Sequence, residues 1–160
     1  MAYDAKVVAN YFLELAEQDQ IPVGPLKLQK LVYLAHGWYL AFFGEPLIKN
    51  EIEAWRYGPV VPSLYREFKR FGASSITERA ILPTNLPPLD ERARQLIEQV
   101  WNKYKNFSAS QLSTLTHEPG SAWHLTMKNS WPFEPLTITD ALIADEFQRR
   151  RQKINGRAAS

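Results

Sequence analysis

Three histidines, His36, His117 and His124, are the side chains best equipped to hold a metal or move a proton. No histidine or carboxylate lies three or four residues from His36, and His117 and His124 are seven apart with Pro119-Gly120 between them. Neither arrangement matches HExxH or another zinc-ligand spacing. The chemistry-free reading is a buried, hydrogen-bonded His36 and a His117 that ends a helix. His117-Glu118 has the residue types of an acid/base pair, but no nucleophile signature accompanies it. The seven glycines fall in no phosphate-cradling order, and cysteine is absent, which removes thiolate nucleophiles, Cys-ligated zinc and disulfides. Glu51 and Glu53 share a face if their segment is extended, and a solvated strand face accounts for them. The residues therefore point away from catalysis, a metal and a cofactor, and toward binding.

Two features carry the binding reading. Lys27 and Lys30 stand in the first turn of an apolar helical pattern, where the helix dipole disfavours cations by about 0.3–1 kcal/mol. Sequences break local rules most often at functional positions, although lysines reaching water or a nearby acid would explain them equally. The second is Trp55-Arg56-Tyr57-Gly58-Pro59, which gathers two aromatics and an arginine, types that dominate interface energetics, into a turn. Trp55 reads best as an inward anchor, and Arg56 and Tyr57 are open. From these we expect a partner-binding face formed or supported by Lys27, Lys30, Tyr33, Arg56, Tyr57 and Tyr65.

The elements that must position these residues are mostly helices. Asp4 caps a helix over 4–19, with Val7, Val8, Tyr11, Phe12 and Leu15 at helical spacing. Pro25 suits a first turn and Gly44 a C-terminal stop, and between them lies a helix apolar nearly all round, hence central and buried. Gly37 inside it costs roughly 1 kcal/mol against alanine, so something must pack against its backbone. Residues 52–55 read as a short strand or extended arm, and 64–71 as a helix stopped by Gly72. Arg66, Lys69 and Arg70 on that helix read as its wet side rather than as a DNA-reading face. Residues 75–82 could pair as a second strand. Asp90 caps a helix to about Asn106, and Ser108 with Gln111 forms a capping box for one reaching His117. A short helix follows over 121–129, and a second box at Thr137/Asp140 opens a final helix through Ile138, Leu142, Ile143 and Phe147, with 131–135 as loop. The expected fold is mainly α: a compact bundle of about six or seven helices around a buried central helix, with room for one small β-hairpin.

Length, at 160 residues, suits one domain, here 1–154 with a flexible tail over 155–160. An apolar share of 45% with 22% charged residues is ordinary globular composition. Nineteen basic against seventeen acidic residues give +2, too balanced to imply nucleic-acid binding. The basic run Arg149, Arg150, Arg151, Lys153 and Arg157 reads as a frayed, solvated helix end. No apolar stretch is long enough to span a bilayer, the first residues lack a signal-peptide layout, and the expected location is cytoplasmic.

A family likeness runs from about residue 4 to residue 147. Leu26-Lys27-Leu28-Gln29-Lys30-Leu31-Val32-Tyr33-Leu34-Ala35-His36-Gly37 resembles the KLQKLxYLAxG element of the Panacea domain. Ala54-Trp55-Arg56-Tyr57-Gly58-Pro59-Val60-Val61-Pro62 with Leu64-Tyr65 resembles its A-W-x-x-G-P-V-x-P element and the following tyrosine. Thr116-His117 with Trp123 resembles its later T-H…W element. On this likeness His36, Gly37, Trp55, Gly58, Pro59, His117 and Trp123 are structural motif residues. The resemblance to the SocA-like, phage-associated Panacea antitoxins implies an antitoxin that neutralises a cognate protein toxin by direct contact, with no enzymatic activity and no cofactor. It also implies an alternative, an adaptor delivering the toxin to a cytoplasmic ATP-dependent protease. A phage regulatory protein without a toxin partner is a further alternative.

Overall fold

The computed structural model describes residues 2–128 and 136–159. It is mainly α, with seven α-helices and one two-stranded hairpin. Helix α1 (Ala5–Asp19) starts where the Asp4 carboxylate accepts from Lys6 N–H, as its sequence requires. Helix α2 (Pro25–Phe43) places Pro25 in its first turn and ends at Gly44, whose φ of 67° suits glycine. Fifteen of its nineteen residues are buried, so it is the axis of the fold. Helices α4 (Glu91–Tyr104), α5 (Ala109–Thr116) and α7 (Asp140–Ala159) surround it. The Ser108/Gln111 capping box opens α5, and His117 closes it.

Gly37 has the reason its position demands. A Cβ built there would lie 2.3 Å from Phe147 Cε2, so α7 crosses α2 through the gap the missing side chain leaves. Phe147 is fully buried and meets Tyr33 and Trp38 edge-on.

The hairpin is formed by β1 (Glu53–Trp55) and β2 (Gly58–Val60), antiparallel, with Trp55 opposite Gly58. Helix α3 (Pro62–Phe68) and a 3₁₀ turn to Phe71 follow. Residues 75–82 do not supply the second strand that their pattern allows. The outer edge of β1 is occupied by residues 136–138, through Ala54 N–H to Leu136 O and Ile138 N–H to Ile52 O. The 75–82 segment spends its hydrogen bonds elsewhere: Ile76 N–H donates to Val23 O, and the Asn10 amide takes both polar groups of Ala80.

Two more expectations are corrected at α7. Thr137 does not cap it, because Thr137 is bridged to Glu53; the Thr139 hydroxyl accepts from Leu142 N–H instead. Of the basic run, Lys153 is exposed as expected, but the three arginines before it are engaged by main chain or acid. Arg149 donates to Gly120 O, Arg150 to Leu115 O and the buried Glu146, and Arg151 to Ala41 O at the end of α2. Of the short helix expected over 121–129, α6 spans Ala122–Lys128, and the loop over 131–135 lies outside the described residues. No described helix is long and apolar enough to cross a membrane.

Candidate functional site: a clamped hairpin beside an aromatic groove

Residues 26, 29, 30, 33 and 37 recur at helical spacing and so lie on one face of α2. That face looks at the hairpin and α7, and its polar members bond to main chain or to buried acid. Gln29 grips Val61 at both ends: its Oε1 accepts from Val61 N–H at 2.8 Å and its Nε2 donates to Val61 O at 3.1 Å. Lys30 Nζ donates to Pro59 O at 2.9 Å. Tyr33 Oη donates to Glu146 Oε1 at 3.1 Å.

The rest of the hairpin is held in the same way from α5 and α6. Ser113 Oγ donates to Tyr57 O at 2.9 Å, and Trp123 Nε1 donates to Trp55 O at 2.6 Å. The His117 ring sits between Ser113 O, 2.6 Å from Nδ1, and Arg56 O, 3.3 Å from Nε2, and meets Trp123 edge-on. Thus the carbonyls of residues 55, 56, 57, 59 and 61 all face side chains of other elements. Gly58 is required at the centre twice over. Its φ is 116°, and a Cβ there would come within 2.9 Å of Lys30 Nζ.

Held this way, the turn forms one wall of a groove of about 520 Å³. Pro25 and Leu26 from α2, Trp55 and Tyr57 from the hairpin, and Tyr65 from α3 line it, with Arg56 and Lys69 also in the lining. Trp55 is half-buried, bonded through Nε1 to Glu53 and packed edge-on against Tyr65. Tyr57 is 61% exposed, with the Arg56 guanidinium over its ring, and Tyr65 is 45% exposed.

The six residues expected at a partner face therefore divide. Arg56, Tyr57 and Tyr65 are exposed on the groove. Lys27, Lys30 and Tyr33 are buried, so any influence they have on a partner passes through what they hold. The local rule that Lys27 breaks on α2 is satisfied on α4: its ammonium donates to Lys105 O at 2.6 Å, at the C-terminal end of α4, where a cation is favoured. Lys30 is fully inside, with no carboxylate partner among the described residues, and burial pulls its pKa down to about 7.

A lysine whose folded pKa lies below its unfolded value disfavours folding most when both states carry the charge. That disadvantage is complete below about pH 7 and is relieved as pH rises toward the unfolded value near 10.5. Stability should therefore climb above pH 7 by up to about 1.4 kcal/mol per pH unit before other groups intervene. Urea unfolding of the wild type and Lys30→Met across this range tests it: the climb should vanish in the variant, and an equal climb in both would refute the assignment.

Sequence reading gave Glu146 no role and read Asp140 only as half of a capping box, yet both tie α7 to α2. Glu146 is 4% exposed and accepts from Tyr33 Oη and Ala122 N–H through Oε1 and twice from Arg150 through Oε2. Asp140 accepts from His36 Nε2 at 2.8 Å, while His36 Nδ1 accepts from Ile48 N–H. The partners of Glu146 and Asp140 on α2 are more than a hundred positions away in sequence, and only the adjacent Arg150 hinted at either. Among the described residues no group of three or more His, Cys, Asp or Glu is placed to hold a metal.

A mainly α domain that carries a side-chain-clamped hairpin and an aromatic groove on its central helix is the class of protein that fold and site define. The family model described as "Antitoxin SocA-like, Panacea domain" matches residues 28–124, from the first turn of α2 through the hairpin, α3, α4 and α5 to the start of α6. Antitoxin SocA of Caulobacter vibrioides (strain NA1000 / CB15N) is 38% identical over 162 residues, covering 95% of this chain and 85% of that protein. No solved structure matches. The chain belongs to the SocA-like, Panacea-domain antitoxin family.

Proposed function

We propose that this domain neutralises a cognate protein toxin by binding it directly, through the groove walled by the 55–58 turn, the start of α2 and α3. The observation that carries the reading is exposure of the right types in one place. Tyr57, Tyr65 and Leu26 are 61%, 45% and 37% exposed around a groove floored by half-buried Trp55. Large aromatics on a rigid frame give contact area at low conformational cost. The His117 ring nitrogens face main-chain oxygens rather than Glu118, which supports a clamping role over acid/base work.

Co-expression with the product of the adjacent gene tests the proposal, scoring growth rescue and co-purification together. Tyr57→Ala should weaken the complex by about 2 kcal/mol, roughly thirtyfold in Kd. Its melting temperature should stay within a few degrees of the wild type, since the ring packs mainly on Arg56. An unaltered complex would remove the groove from the interface. Rescue with the toxin disappearing and no recoverable complex would favour delivery to an ATP-dependent protease.

A further inference from the structure

Resting on the groove as the toxin-binding site, we infer that its occupant is an acidic segment of the toxin: a stretch with a large apolar side chain flanked by carboxylates. The charge distribution carries this. Arg56 and Lys69 both line the groove, and no carboxylate does. Neither cation has an ion-pair partner among the described residues, so both charges are open to an occupant. The acids nearest in sequence are engaged elsewhere: Glu53 has one oxygen on Trp55 Nε1, and Glu67 meets Lys6 and accepts from Ile81 N–H. Apart from Gln29, the rest of the lining is largely apolar, from Pro25, Leu26, Val60 and the aromatic rings. Such a surface takes an apolar anchor together with negative charge. A volume of about 520 Å³ suits a short peptide stretch.

Nucleic acid is the competing occupant for any groove of aromatics and cations. Single-strand binding uses ring faces as stacking platforms and a track of positive charge along several phosphates. Here Trp55 and Tyr65 meet edge-on at 65°, and the Tyr57 ring lies beneath the Arg56 guanidinium. Two lining cations make no such track.

The test is Kd for the purified full chain and the purified product of the adjacent gene, at low and high salt. The variants are Tyr57→Ala, the pair Arg56→Gln with Lys69→Gln, and the pair Arg56→Glu with Lys69→Glu. The glutamine pair should raise Kd about tenfold and flatten the salt dependence, and the glutamate pair should raise it further. If Tyr57→Ala weakens the complex and the glutamine pair leaves Kd within about twofold, the groove reading stands and the acidic occupant is overturned. If no variant alters Kd, the groove reading itself fails. Two further results overturn the inference. One is a self-association of the chain alone that Tyr57→Ala abolishes, which assigns the groove to a second copy. The other is displacement of the toxin by an oligothymidine strand.

Discussion

Glu146→Ala is expected to destabilise the domain by about 3–5 kcal/mol, enough to remove much of the 5–15 kcal/mol that holds a typical domain. The carboxylate is 4% exposed, and its two oxygens serve three elements. Oε1 takes the Tyr33 hydroxyl from α2 and the Ala122 N–H from the start of α6, and Oε2 takes Arg150 through Nε and Nη2. Removing it strands a fully buried phenol and a buried main-chain donor, and leaves the half-buried Arg150 guanidinium with only Leu115 O and, at 3.8 Å, Glu118. An unpaired buried polar group costs about 1–3 kcal/mol, and a charge costs more. Glu146→Gln keeps the shape and one acceptor oxygen but loses the charge-assisted pair with Arg150, so it should fall between alanine and wild type. Urea denaturation of the three proteins measures this directly. A loss below about 1 kcal/mol for alanine would mean that water replaces the carboxylate and that the hub is not structural.

Phe147→Ala is expected to cost about 3–5 kcal/mol, the range for a fully buried aromatic ring. The informative partner is Gly37→Ala. Helix propensity alone predicts that alanine at an interior helical glycine gains about 1 kcal/mol. Here the new methyl would stand 2.3–2.5 Å from three atoms of the Phe147 ring. The ring is wedged edge-on between Tyr33 and Trp38 and cannot step aside without moving α7. Overpacking of this kind costs about 1–3 kcal/mol, so the net change should be a loss. Combining the two should give less than the sum, because the methyl enters space the ring has vacated. A double-mutant cycle reads that coupling. Strict additivity, or a stabilised Gly37→Ala, would show that α7 does not seat against α2 at Gly37.

What the sequence disclosed and what it hid follow one division. Features set within a few residues were legible: the Asp4 and Ser108/Gln111 caps, Pro25 and Gly44 at the ends of α2, and the buried character of α2. Even the close approach at Gly37 could be read, since a glycine in an apolar helix needs a reason. Features set by distant partners were not. The first-turn lysines look misplaced only while α2 is considered alone; Lys27 belongs electrostatically to α4, and Lys30 to the hairpin. Arg149, Arg150 and Arg151 look solvated until the carbonyls of Gly120, Leu115 and Ala41 are brought beside them. The turn residues Arg56 and Tyr57 stand out by type, but the groove that unites them with Tyr65 depends on α2, the hairpin and α3 meeting in space.

The way the hairpin is fastened has a consequence for how this domain can diversify. Its fixings are carbonyl oxygens, which every amino acid possesses, and the hands that grip them belong to α2, α5 and α6. Arg56 and Tyr57 contribute only main chain to that fastening. Their side chains can be exchanged by mutation without loosening the frame, much as a mount keeps its shape while the stone is changed. On the proposed role of the groove, a lineage built on this plan can drift in what it recognises at little risk to folding, and a library randomised at these two positions should keep its members folded while their targets diverge.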